Sequence, residues 1–366
     1  MKDKKNKIGF VIGALSSGGA ERVISTLSNE LIEHFDVVII TFLTAEPFYP
    51  LDERVEVIPC TSGNKKPSSG LQSLQLNYSL VKKVSNIVKI EKIDLLIGFI
   101  TSANIIAVIA AKLNGIPSII SERNNPQVEN VPKFWVFLRK HFYHRADRLV
   151  LQTQGVKNIY KESVNAEKLL ILPNPISSDL SNKRDISVKK DKLILTVGRL
   201  IKNKCHDDLI NAFKTINPQG WKLVIIGTGS EKKKLNQLII DLDLSDRVTI
   251  MSKVKDIHNY YNKASIFVFT SKTEGFPNAL LEAMHFGLPA ISSDCNFGPS
   301  DLIVDGENGF LIKVNDKNDL VEKLMILLKD KQLQQQFSEN AKKTTEDYVS
   351  EKVVLKWRNL INSLLK

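Results

Sequence analysis

Two doubly wound α/β domains followed by a helical tail are the fold class this sequence predicts, and three observations carry it. The chain has 366 residues, too many for one comfortable core and about right for two domains of ordinary size. Short apolar runs rich in β-branched residues alternate with segments of helical spacing along most of its length. That alternation breaks once, around Pro173-Asn174-Pro175, and then resumes.

In the first part, residues 1–175, strands are expected at 8–12, 37–42, 94–99, 118–121 and 148–151. A helix over 20–34 carries Val23, Ile24, Leu27 and Leu31 on one face, and a second helical stretch covers 104–113. Residues 62–70, built of Ser, Gly, Asn, Lys and Pro, read as a loop. Residues 177–191 are polar and charged, which places the boundary there and makes 176–345 the second domain. Its strands fall at 193–197, 222–226, 248–251, 266–269 and 289–292, with helices at 207–213, 231–242 and 278–286. From Asp316 onward the chain is almost entirely helical. Strands separated by helices indicate βαβ units and parallel sheets, whose ligands sit at the carboxyl ends of the strands. With two such domains the expected site is the cleft between them.

Composition narrows the function without choosing it. The 43% hydrophobic and 25% charged fractions are globular averages, and the net charge of +11 calls for an anionic partner: nucleic acid, acidic lipid or phosphorylated small molecules. The three cysteines, Cys60, Cys205 and Cys295, include no CxxC pair, which predicts reduced thiols in a cytosolic protein rather than zinc or disulfides. The six histidines offer no metal spacing. Residues 8–15 are apolar after a lysine-rich start, but no cleavage site follows, and the run ends in Ser16-Ser17-Gly18-Gly19, a strand entering a glycine turn. No apolar stretch of about 18 residues is present, so no membrane span is expected.

Three segments carry candidate chemistry. Gly18-Gly19-Ala20-Glu21-Arg22 stands between the first strand and the first helix, where glycine admits a ligand to the backbone and helix amides favour an anion. A tight turn alone is the other reading. There is no G-x-G-x-x-G, and Gly13-x4-Gly18 is followed by Gly19 rather than Lys, so neither the dinucleotide fingerprint nor the ATPase phosphate loop applies. In the second domain, Thr196-Val197-Gly198-Arg199-Leu200 with Lys204 puts two cations at the mouth of a sheet. Arginine suits bidentate phosphate contact and lysine supplies a mobile point charge. Gly227-Thr228-Gly229-Ser230 follows the next strand and supports that reading. The third segment, Thr273-Glu274-Gly275-Phe276-Pro277-Asn278-Ala279-Leu280-Leu281-Glu282, sets two carboxylates on either side of seven residues. Glu274 falls in a loop and Glu282 more than one turn into a helix. Accepting hydroxyl hydrogen bonds suits them better than the acid and nucleophile roles of a glycosidase.

Together, GGAER, VGRL with its lysine, EGFPNALLE, GLPAISSD and GPSDLI resemble the retaining glycosyltransferases of family 4, over essentially the whole chain. The resemblance implies the GT-B fold: two Rossmann-like domains facing a cleft, with a C-terminal helix (346–366) returning to the first domain. It implies that Arg199 and Lys204 hold the diphosphate of a nucleotide-sugar, Glu282 its ribose, and Glu274 the donor sugar. The amides around Phe276, Asn278, Ala279 and Leu280 take the sugar or phosphate. Residues 251–256, with Val254, take the base. Gly18 and Gly19, with Gly227, approach the phosphates. No metal is implied, since no acidic pair stands at the expected strand end. The closest subgroup in appearance builds bacterial surface or lipid-linked glycans. One departure stands out. Members often carry histidine after Ser-Glu, whereas this chain has Ser121-Glu122-Arg123-Asn124. Arg123 cannot act as a base. It is either a substrate-binding residue or a plain surface arginine.

Residues 132–145 interleave aromatic and basic side chains. A helix lying on anionic lipid and a helix with an ordinary core face both fit. Nucleic-acid stacking lacks any accompanying module, so no nucleic-acid partner is expected. The expected function is transfer of a hexose or N-acetylhexosamine from a UDP-sugar to a membrane-held, lipid-linked or polysaccharide acceptor, at the cytoplasmic face of the cell membrane. A soluble enzyme with a free saccharide acceptor and a non-catalytic nucleotide-sugar binder are the alternatives.

Overall fold

A computed structural model describes residues 5–16, 18–61, 70–127, 131–252 and 254–365. The chain divides into two units, one of residues 1–175 with 350–366, the other of residues 176–349.

The first unit is built on a parallel sheet of seven strands: β1 (Lys7–Ile12), β2 (Asp36–Leu43), β3 (Glu56–Thr61), β4 (Leu95–Phe99), β5 (Ser118–Ser121), β6 (Arg148–Leu151) and β7 (Leu169–Ile171). Their order is β3-β2-β1-β4-β5-β6-β7, with Ile8 paired to Val37 on one side and Leu95 on the other. The second unit has six parallel strands: β8 (Leu193–Val197), β9 (Lys222–Ile226), β10 (Val248–Met251), β11 (Ile266–Phe269), β12 (Ala290–Ser293) and β13 (Phe310–Ile312), ordered β10-β9-β8-β11-β12-β13. Both orders reverse direction beside the first strand, the doubly wound pattern. Central strands are buried on both faces, which is why their sequences are continuous apolar runs.

Side-chain alternation sorts the second sheet into two faces. Ile194, Leu223, Ile225 and Val268 share a core with the helices His206–Ile216, Lys232–Asp241 and Lys317–Lys329. Leu195, Phe267 and Phe269 pack instead with the helix Asn278–His285.

Strands absent from the sequence reading are β3, β7 and β13, all at sheet edges. β3 is half exposed and contains Pro59, which an edge strand tolerates because one of its sides needs no donor. β7 and β13 have three residues each, too few to show a period. The helix Gly70–Glu91 was also missed, and the loop expected at 62–70 lies outside the described residues except for Gly70, which opens that helix. Residues 346–349, assigned from sequence to the tail helix, belong to the second unit. Ile176 N donates to Tyr348 O at 2.8 Å, and Ile176 pairs with Val349. The helix Ser350–Asn362 then packs on the first unit, where Trp357 is fully buried and its ring stacks 6.1 Å from Phe99.

Candidate active site

After β8 the chain turns through Gly198, Arg199 and Leu200, makes a short 3-10 turn at Lys202–Lys204, and enters the helix His206–Ile216 through Cys205. This loop is laced to the one after β9: Gly198 N donates to Ile226 O at 3.0 Å, and Leu200 N to Thr228 O at 2.8 Å. The approach is so close that a Cβ on Gly227 would stand 1.9 Å from the Gly198 carbonyl oxygen. Gly227 is therefore a packing requirement, whatever its ligand. Beneath the loop, the His206 ring holds the Arg199 carbonyl through Nε2 at 3.3 Å. A carbonyl only accepts, so Nε2 carries the proton. Burial pulls the His206 pKa down to about 4, against the opposing effect of that hydrogen bond, and the ring is neutral at pH 7.

The same loop is stitched to the segment after β11. Lys272 N donates to Asn203 O at 2.9 Å, Asn203 Nδ2 to Thr273 O at 3.0 Å, and the Thr270 hydroxyl to Lys204 O at 2.8 Å. These bonds bring Lys204 Nζ and the Glu274 carboxylate into an ion pair, each side chain only 12% exposed. Lys204 Nζ also lies 5.1 Å from the centre of the Phe269 ring. Cys295, close by, has its thiol pushed up to about 12 by burial first and the Glu274 charge second, so it is no nucleophile. Arg199 is exposed.

Glu274 precedes the helix Asn278–His285, whose N-cap is Pro277. Its first amides have no acceptor within the helix and form an anion-favouring end. Phe276 and Leu280 are buried in the core, so what they offer a ligand is backbone; Asn278 and Ala279 are half-buried. Glu282, 4% exposed, accepts from the Tyr261 hydroxyl at 3.0 Å. Val254 is half-buried beside this core; Lys253 lies outside the described residues. Nearby, Ser252 Oγ donates to Gly227 O at 3.1 Å. Arg199, Lys204, Gly227, Val254, Glu274, Asn278 and Glu282 thus all belong to the second unit, all but Glu282 on loops and helix starts beyond the carboxyl ends of its strands.

Gly18, Gly19 and Arg123 belong to the first unit. Gly18 caps the helix Gly19–Leu31, and the Glu21 carboxylate folds over it, 2.1 Å from where a Gly18 Cβ would be. Arg123 follows β5 and is no surface arginine: it is 7% exposed, and Nη1 donates to Asn174 Oδ1. The preceding Glu122 accepts from the hydroxyls of Tyr143 at 2.6 Å, Thr101 at 3.3 Å and Tyr160 at 3.4 Å. Burial pushes the Tyr143 hydroxyl well above its ordinary pKa, and the Glu122 charge adds to the shift.

Sequence reasoning missed Tyr261, Asn203 and Asn174. Tyr261 stands on a seven-residue helix, Ile257–Lys263, with no apolar period to reveal it. Asn203 and Asn174 act through loop contacts that have no sequence signature. Among the described residues no group of three or more His, Cys, Asp or Glu is placed to hold a metal, and no helix is long and apolar enough to cross a membrane. The helix Lys133–Phe142 buries no residue fully; Phe137 is 59% exposed and Phe134 38%, while Trp135 packs on the first unit.

Two parallel doubly wound sheets, with cations and carboxylates beyond the strand ends of the second, form an architecture whose ligands sit at the carboxyl ends of the strands. Comparison with known proteins agrees. Residues 17–180 match the model for Glycosyltransferase Family 4, and residues 179–344 that for Glycosyl transferases group 1. The chain is 32% identical to the GalNAc-alpha-(1->4)-GalNAc-alpha-(1->3)-diNAcBac-PP-undecaprenol alpha-1,4-N-acetyl-D-galactosaminyltransferase of Campylobacter jejuni subsp. jejuni serotype O:2, across 97% of this chain and 98% of that protein. It is 29% identical to the amylovoran biosynthesis glycosyltransferase AmsD of Erwinia amylovora, across 96% and 98%. The crystal structure of Anabaena Alr3699/HepE in complex with UDP superposes with a TM-score of 0.79 at 19% identity, covering 98% of this chain and all of that one. This chain belongs to the GT-B glycosyltransferases of family 4.

Proposed function

We propose that the chain is a retaining transferase moving a hexose or N-acetylhexosamine from a UDP-sugar to a membrane-held glycan acceptor, lipid-linked or polysaccharide, without a metal or other cofactor. The ion pair of Lys204 with Glu274 carries the reading. A cation and a hydrogen-bond acceptor held side by side match the two sides of a sugar–phosphate bond: oxyanion on one, ring hydroxyls on the other.

In this mechanism Arg199 and Lys204 receive the donor diphosphate. Cleavage of the bond to the sugar leaves charge on the departing UDP, so fixed cations stabilise the transition state more than the ground state. Glu274 accepts from donor-sugar hydroxyls, Glu282 from the ribose, and the amides at 276–280 meet sugar or phosphate. The segment around Val254 lies along the base. The neutralising work done by the two cations is the ground for metal independence. The acceptor class rests on the acceptor in the name of the Campylobacter relative, an undecaprenol diphosphate glycan. The exposed Phe134 and Phe137, with Lys133, Arg139 and Lys140 on the same helix, suit a peripheral position on the anionic cytoplasmic face of the membrane.

The test is a panel of UDP-sugars assayed for donor hydrolysis and transfer to prenyl-diphosphate glycans, with and without chelator, reading the product anomer by proton spectra. An inverted product, or turnover abolished by chelator and restored by magnesium or manganese, contradicts the mechanism.

A further inference from the structure

Arg123 is held on three sides by the first unit. Its guanidinium carbon lies 4.7 Å from the centre of the Phe99 ring and 5.9 Å from that of Trp357. Nη1 donates to Asn174 Oδ1, an oxygen that also accepts from Gln152 Nε2 at 2.8 Å. The Glu122 carboxylate, one residue back, accepts the Arg123 amide at 3.1 Å and so fixes the backbone that presents the side chain. Yet Glu122 gives the guanidinium no hydrogen bond, being occupied by Tyr143, Thr101 and Tyr160.

Two donors are left over. Nε and Nη2 are buried and have no hydrogen-bond partner. They are not an arbitrary pair. In a planar guanidinium the Nε–H and the adjacent Nη2–H point the same way, and this edge engages two oxygens of one oxyanion. Leaving it bare costs free energy, which a fold without a use for it avoids by supplying an acceptor. Burial draws the Arg123 pKa down to about 9, with Glu122 opposing, so the group stays cationic at neutral pH. Phe99 ends β4, Arg123 follows β5, Gln152 follows β6 and Asn174 lies beyond β7, so the fork sits at the carboxyl edge of the sheet, where ligands of this fold class bind.

We propose that the Nε/Nη2 edge of Arg123 is a receptor for a phosphoryl oxyanion of the reaction's own substrates. The inference rests on the transferase reading given above. The oxyanion has two sources, the diphosphate of the donor and the diphosphate linking acceptor glycan to lipid, and both present the oxygen pair that the fork fits.

Calorimetric titration of the full chain with UDP and, separately, with geranyl diphosphate distinguishes them. Arg123→Gln removes the fork. Asn174→Asp keeps the shape but sets a carboxylate against the guanidinium, offsetting the charge an incoming oxyanion needs. Both variants are expected to lose 10-fold to 100-fold in affinity for one diphosphate, with melting temperatures near wild type for Asn174→Asp. Loss confined to UDP identifies the donor, and loss confined to geranyl diphosphate the acceptor. If Arg123→Gln does not fold, Asn174→Asp decides alone. Unchanged affinity for both probes in folded variants overturns the proposal, and a wild-type chain that binds neither overturns it as well. Should UDP binding depend on Arg199 while Arg123 and Asn174 are indifferent to both probes, the donor reading stands and this inference alone fails.

Discussion

His206 and Arg199, seven residues apart, are joined from the core side: the buried imidazole donates from Nε2 to the Arg199 carbonyl, fixing the backbone of the exposed arginine while leaving its side chain unhindered.

Burial of that imidazole makes stability depend on pH, with the bond opposing it. The folded-state pKa of His206, about 4, is depressed below its ordinary 6.5, so between those values the unfolded chain binds more protons than the folded one. Stability is full above pH 6.5 and falls as the pH drops toward 4. Between pH 7 and 5 the loss from this group is about 2 kcal/mol. Urea midpoints measured at both pH values should show it, and His206→Asn should flatten the difference.

Arg199 and Lys204 separate cleanly by experiment. Each change to alanine is expected to lower turnover by a factor of about 100 to 1,000, the range for removing one fixed donor to a developing oxyanion. Only Lys204→Ala should also destabilise the fold, because it strands Glu274 with its partner gone. Arg199→Lys should rescue poorly, since lysine lacks the fork. Steady-state rates beside thermal melts check both halves. Near-normal turnover in both alanine variants contradicts the assignment.

Gly227→Ala is expected to cost about 1–3 kcal/mol, as overpacking does, because its Cβ would collide with the Gly198 carbonyl. Gly13→Ala, with nothing within 4 Å, is the control and should melt near wild type. Equal melting temperatures would show the two loops free to part.

Liposome flotation tests the helix Lys133–Phe142. Recovery with anionic vesicles should exceed that with neutral ones. The triple change of Lys133, Arg139 and Lys140 to Glu should abolish the excess, each near-surface cation contributing roughly 1 kcal/mol. Equal recovery on both vesicle types rules the membrane contact out.

Central strands and the long amphipathic helices were legible in the sequence because burial on two faces, or one, leaves a period. Three edge strands were not: β3, β7 and β13 are short or half exposed, and pairing on one side makes little demand on composition, whereas the edge strand β10 was read at 248–251. At the site, residue types with intrinsic chemistry, Arg199, Lys204, Glu274 and Glu282, could be named from spacing. Their relations could not. That Lys204 and Glu274 form a pair across 70 residues depends on Asn203 and Thr270, whose hydrogen bonds hold two loops together. Arg123 was ambiguous for a similar reason: its burial is made by Phe99, Asn174 and Trp357, none of them a sequence neighbour.

The position of Trp357 has a consequence for biogenesis. Domains generally assemble as units while the ribosome is still working, the N-terminal one first. Here the first unit needs residues 350–366, which leave the exit tunnel only after the whole of residues 176–349. Until then the surface that Trp357, Val353 and Ile361 cover is exposed beside Phe99, on a nascent chain whose second unit can already be folded. A stop codon just upstream of Ser350 would therefore leave the second unit intact and turn the first into a target for chaperones and proteases, with Arg123 missing the ring of Trp357 beside it.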